Sequence, residues 1–173
     1  MSKVKQLFSI IQQIADECPN FFERKGAGIG NKDTNAFVAE LNTLFVLKHN
    51  LGRVTGAAGG YIVSGGKYAP DIAFVSKAKQ DHLAETGYNP VPPDLAVEVI
   101  SNPANTQEHE DLRREIANYL LVGTVVWVFN WRKEEAEVYI PGKPAQVYTK
   151  DEIISGGDVL PGFELKLTDI YRD

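Results

Sequence analysis

Two short stretches, "PDIAFV" at 70–75 and "PPDLAVEVIS" at 92–101, constrain this chain more than any other feature. Each opens near Pro-Asp and runs into β-branched and apolar residues, the pattern of a buried strand. Yet they carry Asp71, Asp94 and Glu98. Desolvating a carboxylate is costly unless it is paired or holds a cation. The fold must bring partners to these acids.

Alternate residues of a strand share a face, so Asp94, Ala96, Glu98 and Ile100 point the same way. Asp94 and Glu98 are separated by ~13 Å at ~3.3 Å per residue, too far to bind one ion. Asp94 therefore reads as a strand-opening residue, with Pro-Pro-Asp favouring the preceding turn. Asp71 lies on the preceding strand and comes beside Glu98 if the two strands pair. Two readings of that pair stand. The acids hold a hard cation such as Mg2+, which takes one or two protein carboxylates and completes its shell with water and phosphate oxygens. Alternatively, each acid caps a strand end or pairs with an arginine.

Around these strands the periodicity alternates between helix and strand. Residues 3–18 place Val4, Leu7, Phe8, Ile11, Ile14 and Cys18 at helical spacing. A second helix carries Phe37, Leu41, Leu44 and Phe45 and ends near Asn50–Gly52. Strands follow in "RVTGAAGGYIVS", "YAPDIAFVS" and "DLAVEVIS", with a long polar connection over 77–93. Residues 102–123 read as a helix, with Asn105 and Glu108 as a capping box and Gly123 as its end. "TVVWVFNW" is the most apolar strand and the expected sheet centre; "AEVYI" then forms a hairpin with it, and a short strand closes the chain. The expected class is α/β, a central mixed sheet flanked by helices.

The 173 residues suit one domain, 1–173, with the helix in 1–22 packing on that domain or on a dimer partner. A lone cysteine, Cys18, excludes an internal disulfide and fits a reducing compartment. No apolar run reaches the ~20 residues that span a bilayer, and no signal peptide is read. The expected location is the cytoplasm. A net charge of −5 with no basic block argues against DNA binding by bulk electrostatics, although a local groove and bound divalent cations can offset the overall sign.

Other motifs fail. "GAGIGNK" at 26–32 lacks phosphate-loop spacing. His49, His82 and His109 are scattered at no metal-ligand spacing, and Ser64 in "YIVSGG" lacks the glycine that a nucleophile elbow needs.

From about Thr34 onward, the order of "APDIAFVS", "PVPPDLAVEVISNP", the helix ending in "YLLVG", "VVWVFN" and "GGDVLPGFELKLTDIY" resembles the Uma-type restriction endonuclease family of the PD-(D/E)xK nuclease superfamily. The resemblance implies a restriction endonuclease-like fold. It implies Mg2+ or Mn2+ held by Asp71, Glu98 and the main-chain carbonyl of Val99, with Glu40 of the early helix as a further candidate. Two positions depart from the pattern. The superfamily lysine two residues after the Glu is replaced by Ile100. The lysine that Uma-type sequences tend to carry on the next helix, four residues before the aromatic matching Tyr119, is replaced by Glu115.

At ~100° per residue, Leu112, Ile116 and Tyr119 form the buried stripe of that helix. Glu115 flanks one edge and Arg113 the other, while Arg114 falls on the far side. Arg113 is the better-placed arginine to orient a phosphate, but a guanidinium cannot deprotonate water. Glu115 has three readings: a third carboxylate at the metal, a salt-bridge partner, or a substitution that disables the catalyst. The expected activity is metal-dependent cleavage of phosphodiester bonds in DNA, with a homodimer able to cut both strands. The alternative is a nuclease-fold domain acting as a binding or regulatory module.

Overall fold

A computed structural model of the chain describes residues 43–100 and 102–171. The expected helix at 3–18, the start of the second helix and Glu40 lie outside the described residues.

Six strands form one sheet in the order β1-β4-β5-β6-β7-β8. They are β1 (Gly52–Gly56), β4 (Ile72–Ser76), β5 (Leu95–Val99), β6 (Val125–Asn130), β7 (Glu135–Tyr139) and β8 (Gln146–Thr149). All neighbours are antiparallel except β5 and β6. A parallel pair needs a crossover, and helix α1 (Thr106–Leu121) supplies it. The sheet is mixed, with "VVWVFN" in its interior as expected.

Helix α1 has legible ends. Asn105 accepts from the N–H groups of Gln107 and Glu108, satisfying two first-turn donors. The capping box is not closed as expected, because the Glu108 carboxylate accepts from the N–H of Asn102 instead of Asn105. At the other end Gly123 takes φ 86°. Its N–H reaches the Leu120 carbonyl and that of Thr124 reaches Tyr119, the paired bonds of a Schellman stop.

The two sheet faces have different covers. Ile72, Phe74, Leu95, Val97, Trp127 and Phe129 form one core with Val46 of the helical segment 43–48 and with the chain end. That end comprises the hairpin-like pair β9 (Ile153–Ser155) and β10 (Glu164–Lys166), then α2 (Leu167–Ile170). Trp127 stacks on Phe163 with ring centroids 6.0 Å apart. The other face carries the small residues Ala73 and Ala96 with Val75, Val126 and Val128, and packs against Ile116 and Tyr119 of α1.

A second small sheet completes that layer. The sequence "RVTGAAGGYIVS" is not one strand: it breaks at Gly56, and β2 (Tyr61–Val63) pairs with β3 (Gly66–Tyr68). Ser64 and Gly65 both have positive φ, 49° and 79°, the backbone of a two-residue hairpin turn. Ser64 is thus a turn residue. β8 and β9 also escaped the pattern, being only four and three residues long. No helix among the described residues is long and apolar enough to cross a membrane.

Candidate functional site

Asp71 stands one residue before β4. The β4–β5 register pairs Ile72 with Val97 and Ala73 with Ala96, so one further step sets Asp71 opposite Glu98. Facing residues of an antiparallel pair have Cβ atoms ~5 Å apart. The carboxylate of Asp71 also accepts a hydrogen bond from the N–H of Val99 at 2.9 Å. The N–H of Ile100 meanwhile donates to the Phe129 carbonyl of β6 at 3.0 Å. In a trans peptide the C=O points opposite to the N–H, so the Val99 carbonyl faces the β4 side, where Asp71 lies.

Both acids belong to the α1 face of the sheet, continuing the Ala73/Ala96 row by alternation. Both are half-buried, and one Glu98 oxygen is shielded from solvent. Glu115 approaches from α1. Burial pushes its carboxyl above the usual range, and the negative charges of Asp111 and Asp71 push it further. It makes no ion pair among the described residues, so the salt-bridge reading is not realised.

Tyr119 was legible only as a core residue, yet it borders the acids. It is fully buried, and its hydroxyl has no partner among the described residues. Burial raises its pKa far above the ordinary phenol value, and Glu98 and Glu115 add to that rise. Tyr68 packs against it with ring centroids 5.8 Å apart and accepts a hydrogen bond from Asn118 of α1.

Asp94 takes the strand-opening role. It accepts from the N–H of Ser76 at 2.6 Å and meets Lys79 at 3.5 Å. Nearby, Asn89 organises the long connection: its amide bonds Gln80, Ala84 and Val91, while its backbone pairs with Gly60 and Ile62.

Arg113 is placed elsewhere. A cavity of about 530 Å³ opens between the first half of α1 and β6–β7, and Arg113 lines it with Asn130, Lys133, Glu137 and Tyr139. Asp71, Glu98 and Glu115 do not line this cavity. The helical wheel set Arg113 and Glu115 on opposite edges of α1, and of the two only Arg113 lines the cavity. Lys133, in the β6–β7 turn, had no signal in the sequence beyond an ordinary polar hairpin.

A divalent ion needs hard oxygen donors. Asp71, Glu98 and the Val99 carbonyl are such donors on adjacent backbone positions, and two carboxylates suit Mg2+ or Mn2+. No group of three or more His, Cys, Asp or Glu side chains among the described residues is arranged to hold a metal ion. Glu115 therefore does not complete a three-carboxylate cluster.

The Uma2 family model, described as putative restriction endonuclease, matches residues 22–168. The chain belongs to this family. No curated protein sequence matches it. Among solved structures, the chain is similar to the crystal structure of a putative nuclease belonging to DUF820 from Anabaena variabilis. The TM-score is 0.72 at 16% identity, covering 86% of this chain and 83% of that one. At that identity the likeness establishes the fold, which is the restriction endonuclease-like α/β architecture expected from the sequence. For this Uma2 member, the family's nuclease description and the fold agree.

Proposed function

We propose that the chain is a divalent-metal-dependent endonuclease that hydrolyses phosphodiester bonds in DNA, with Asp71, Glu98 and the Val99 carbonyl as the metal ligands. The observation that carries this reading is the cross-strand placement of Asp71 against Glu98, fixed by the bond from Val99 to Asp71. A bound Mg2+ or Mn2+ would supply the charge that polarises the scissile phosphate and lowers the pKa of the attacking water.

The chain's own residues do the rest. The Val99 N–H orients the Asp71 carboxylate, and β6 fixes the peptide that carries the Val99 carbonyl. Glu115 keeps its proton to higher pH than an ordinary glutamate. It assists from beside the acids, at the helix position where the family tends to carry lysine. Arg113 acts from the neighbouring cavity, and Glu40 remains a candidate contributor from the early helix. Cleavage of both strands calls for a second site, which a homodimer provides. The same reading takes the cytoplasm as the site of the reaction, a reducing compartment that suits the lone Cys18.

The absence of the family lysine and of a three-acid metal cluster among the described residues favours a second reading, a nuclease-fold binding or regulatory module. Incubation of supercoiled plasmid with Mg2+ or Mn2+ separates the two. The nuclease reading predicts nicking that stops with chelator and with Asp71→Ala. Nicking that survives Asp71→Ala contradicts it, and a chain inert with both metals supports the module.

A further inference from the structure

The cavity on the Arg113 edge of α1 has a chemistry of its own. Its floor is apolar, built from Ile100, Leu112, Ile116 and Val128, and its volume of about 530 Å³ falls in the range of small-molecule sites. Leu112 and Ile116 belong to the stripe that separates it from the Glu115 edge of the helix. Val128 of the floor pairs with Glu98 in the β5–β6 register, so the cavity borders the acid pair without containing it.

Two cations stand at its rim. Arg113 and Lys133 both line the cavity, and no ion pair joins either to a carboxylate among the described residues. The cavity also has two carboxylates, Glu110 and Glu137, but the latter is engaged by the Tyr139 hydroxyl. A guanidinium and an ammonium converging from two elements are suited to a phosphate, the first as a bidentate fork and the second as a point charge.

The remaining polar groups suit something flatter than phosphate. Tyr139 brings an aromatic ring, whose face stacks on nucleobases of any sequence. Asn130 is buried, and its Oδ1 accepts the Lys133 N–H at 3.2 Å. Its amide nitrogen has no partner among the described residues. Such an amide reads a base edge by donating to a ring nitrogen or carbonyl. A lone phosphate ion would leave the apolar floor and the ring uncovered.

We propose that the cavity between α1 and β6–β7 binds a nucleoside phosphate, with the phosphate at Arg113 and Lys133 and the base against Tyr139 and the Asn130 amide. The nucleotide comes either from a nucleic-acid strand or from solution, and the chemistry of recognition is the same. Arg113 links this site to the nuclease reading, but binding here requires neither metal nor cleavage, so the two are tested separately.

The test is calorimetry of the full chain, in chelator, with the common nucleoside monophosphates, with the nucleosides and with inorganic phosphate. At least one monophosphate is expected to bind in the micromolar-to-millimolar range, more tightly than its nucleoside or phosphate alone. Arg113→Gln and Lys133→Gln, both at exposed positions, should each weaken it about tenfold, the cost of one charge-assisted hydrogen bond. Circular dichroism checks that both variants are folded. Asp71→Asn should leave the affinity within about twofold, because Asp71 does not line the cavity and the chelator removes any metal, even where it abolishes cleavage. Competition by a short single-stranded oligonucleotide assigns the site to a strand, and its absence assigns it to the free nucleotide. No binding by any monophosphate, inorganic phosphate binding as tightly as the best of them, or unchanged affinity in both cation variants overturns the proposal.

Discussion

The carboxylate of Asp71 accepts the main-chain N–H of Val99 across the β4–β5 gap, at 2.9 Å. One bond thereby ties the acid before β4 to the peptide that follows Glu98. It also sorts the chain's acids by role, since Asp94 spends its carboxylate on Ser76 and Lys79 at the opposite end of the same strand.

Asp94→Ala is expected to destabilise the fold. It removes the acceptor for a half-buried N–H and a nearby cation, which costs about 1–3 kcal/mol. Asp71→Asn keeps an acceptor for Val99 and should cost less. Urea denaturation of the two variants side by side checks the order; equal losses would mean that Asp71 is as structural as Asp94.

Glu115→Gln is expected to raise stability at neutral pH. The Glu115 carboxyl holds its proton more tightly in the folded chain than in the unfolded one, so its contribution is fully present below the unfolded pKa. It is lost as pH rises through the raised, folded value. Glutamine never ionises. The variant should melt higher at pH 7, and the gain should vanish in acid. Thermal melts across that pH range measure it.

Tyr119→Phe removes a buried hydroxyl that has no partner among the described residues. Because an unsatisfied buried group is costly, the variant should be neutral or more stable by about 1 kcal/mol. A clear loss of stability would reveal a bond to the hydroxyl. In the wild type, ultraviolet difference spectra should show Tyr119 resisting ionisation at pH values where surface tyrosines titrate, as its burial beside Glu98 and Glu115 requires.

Asn89→Ala is expected to loosen the whole 77–93 connection. Its side chain makes four hydrogen bonds there, and it is buried. A loss of about 2–4 kcal/mol and new protease cleavage within 77–93 should accompany the change. Limited proteolysis with mass spectrometry locates the cut.

Asp71 and Glu98 were legible because a strand's two-residue period and the Pro-Asp opening survive in sequence, and pairing of consecutive strands then leaves little freedom. α1 was legible from its stripe, its Asn105 cap and Gly123. Arg113 shows where such reasoning stops. A helical wheel gives the angle between Arg113 and Glu115, but the sheet decides which edge meets β4 and which meets β7. Tyr119 likewise satisfied the pattern of a core residue, and only packing reveals the acids beside its hydroxyl. The β2–β3 hairpin was hidden because "VSGGK" reads as loop until Ser64 adopts a positive φ. Asn89 gave no signal, since one asparagine in a polar connection looks like any other until its partners are in place.

The most direct measurement of the central claim is a Mn2+ titration by calorimetry of the wild type beside Asp71→Asn and Glu98→Gln, with circular dichroism confirming that all three are folded. The account predicts micromolar-to-millimolar binding in the wild type that is lost in both variants. Binding that persists in both would contradict it, because the metal would then lie away from the Asp71–Glu98 pair.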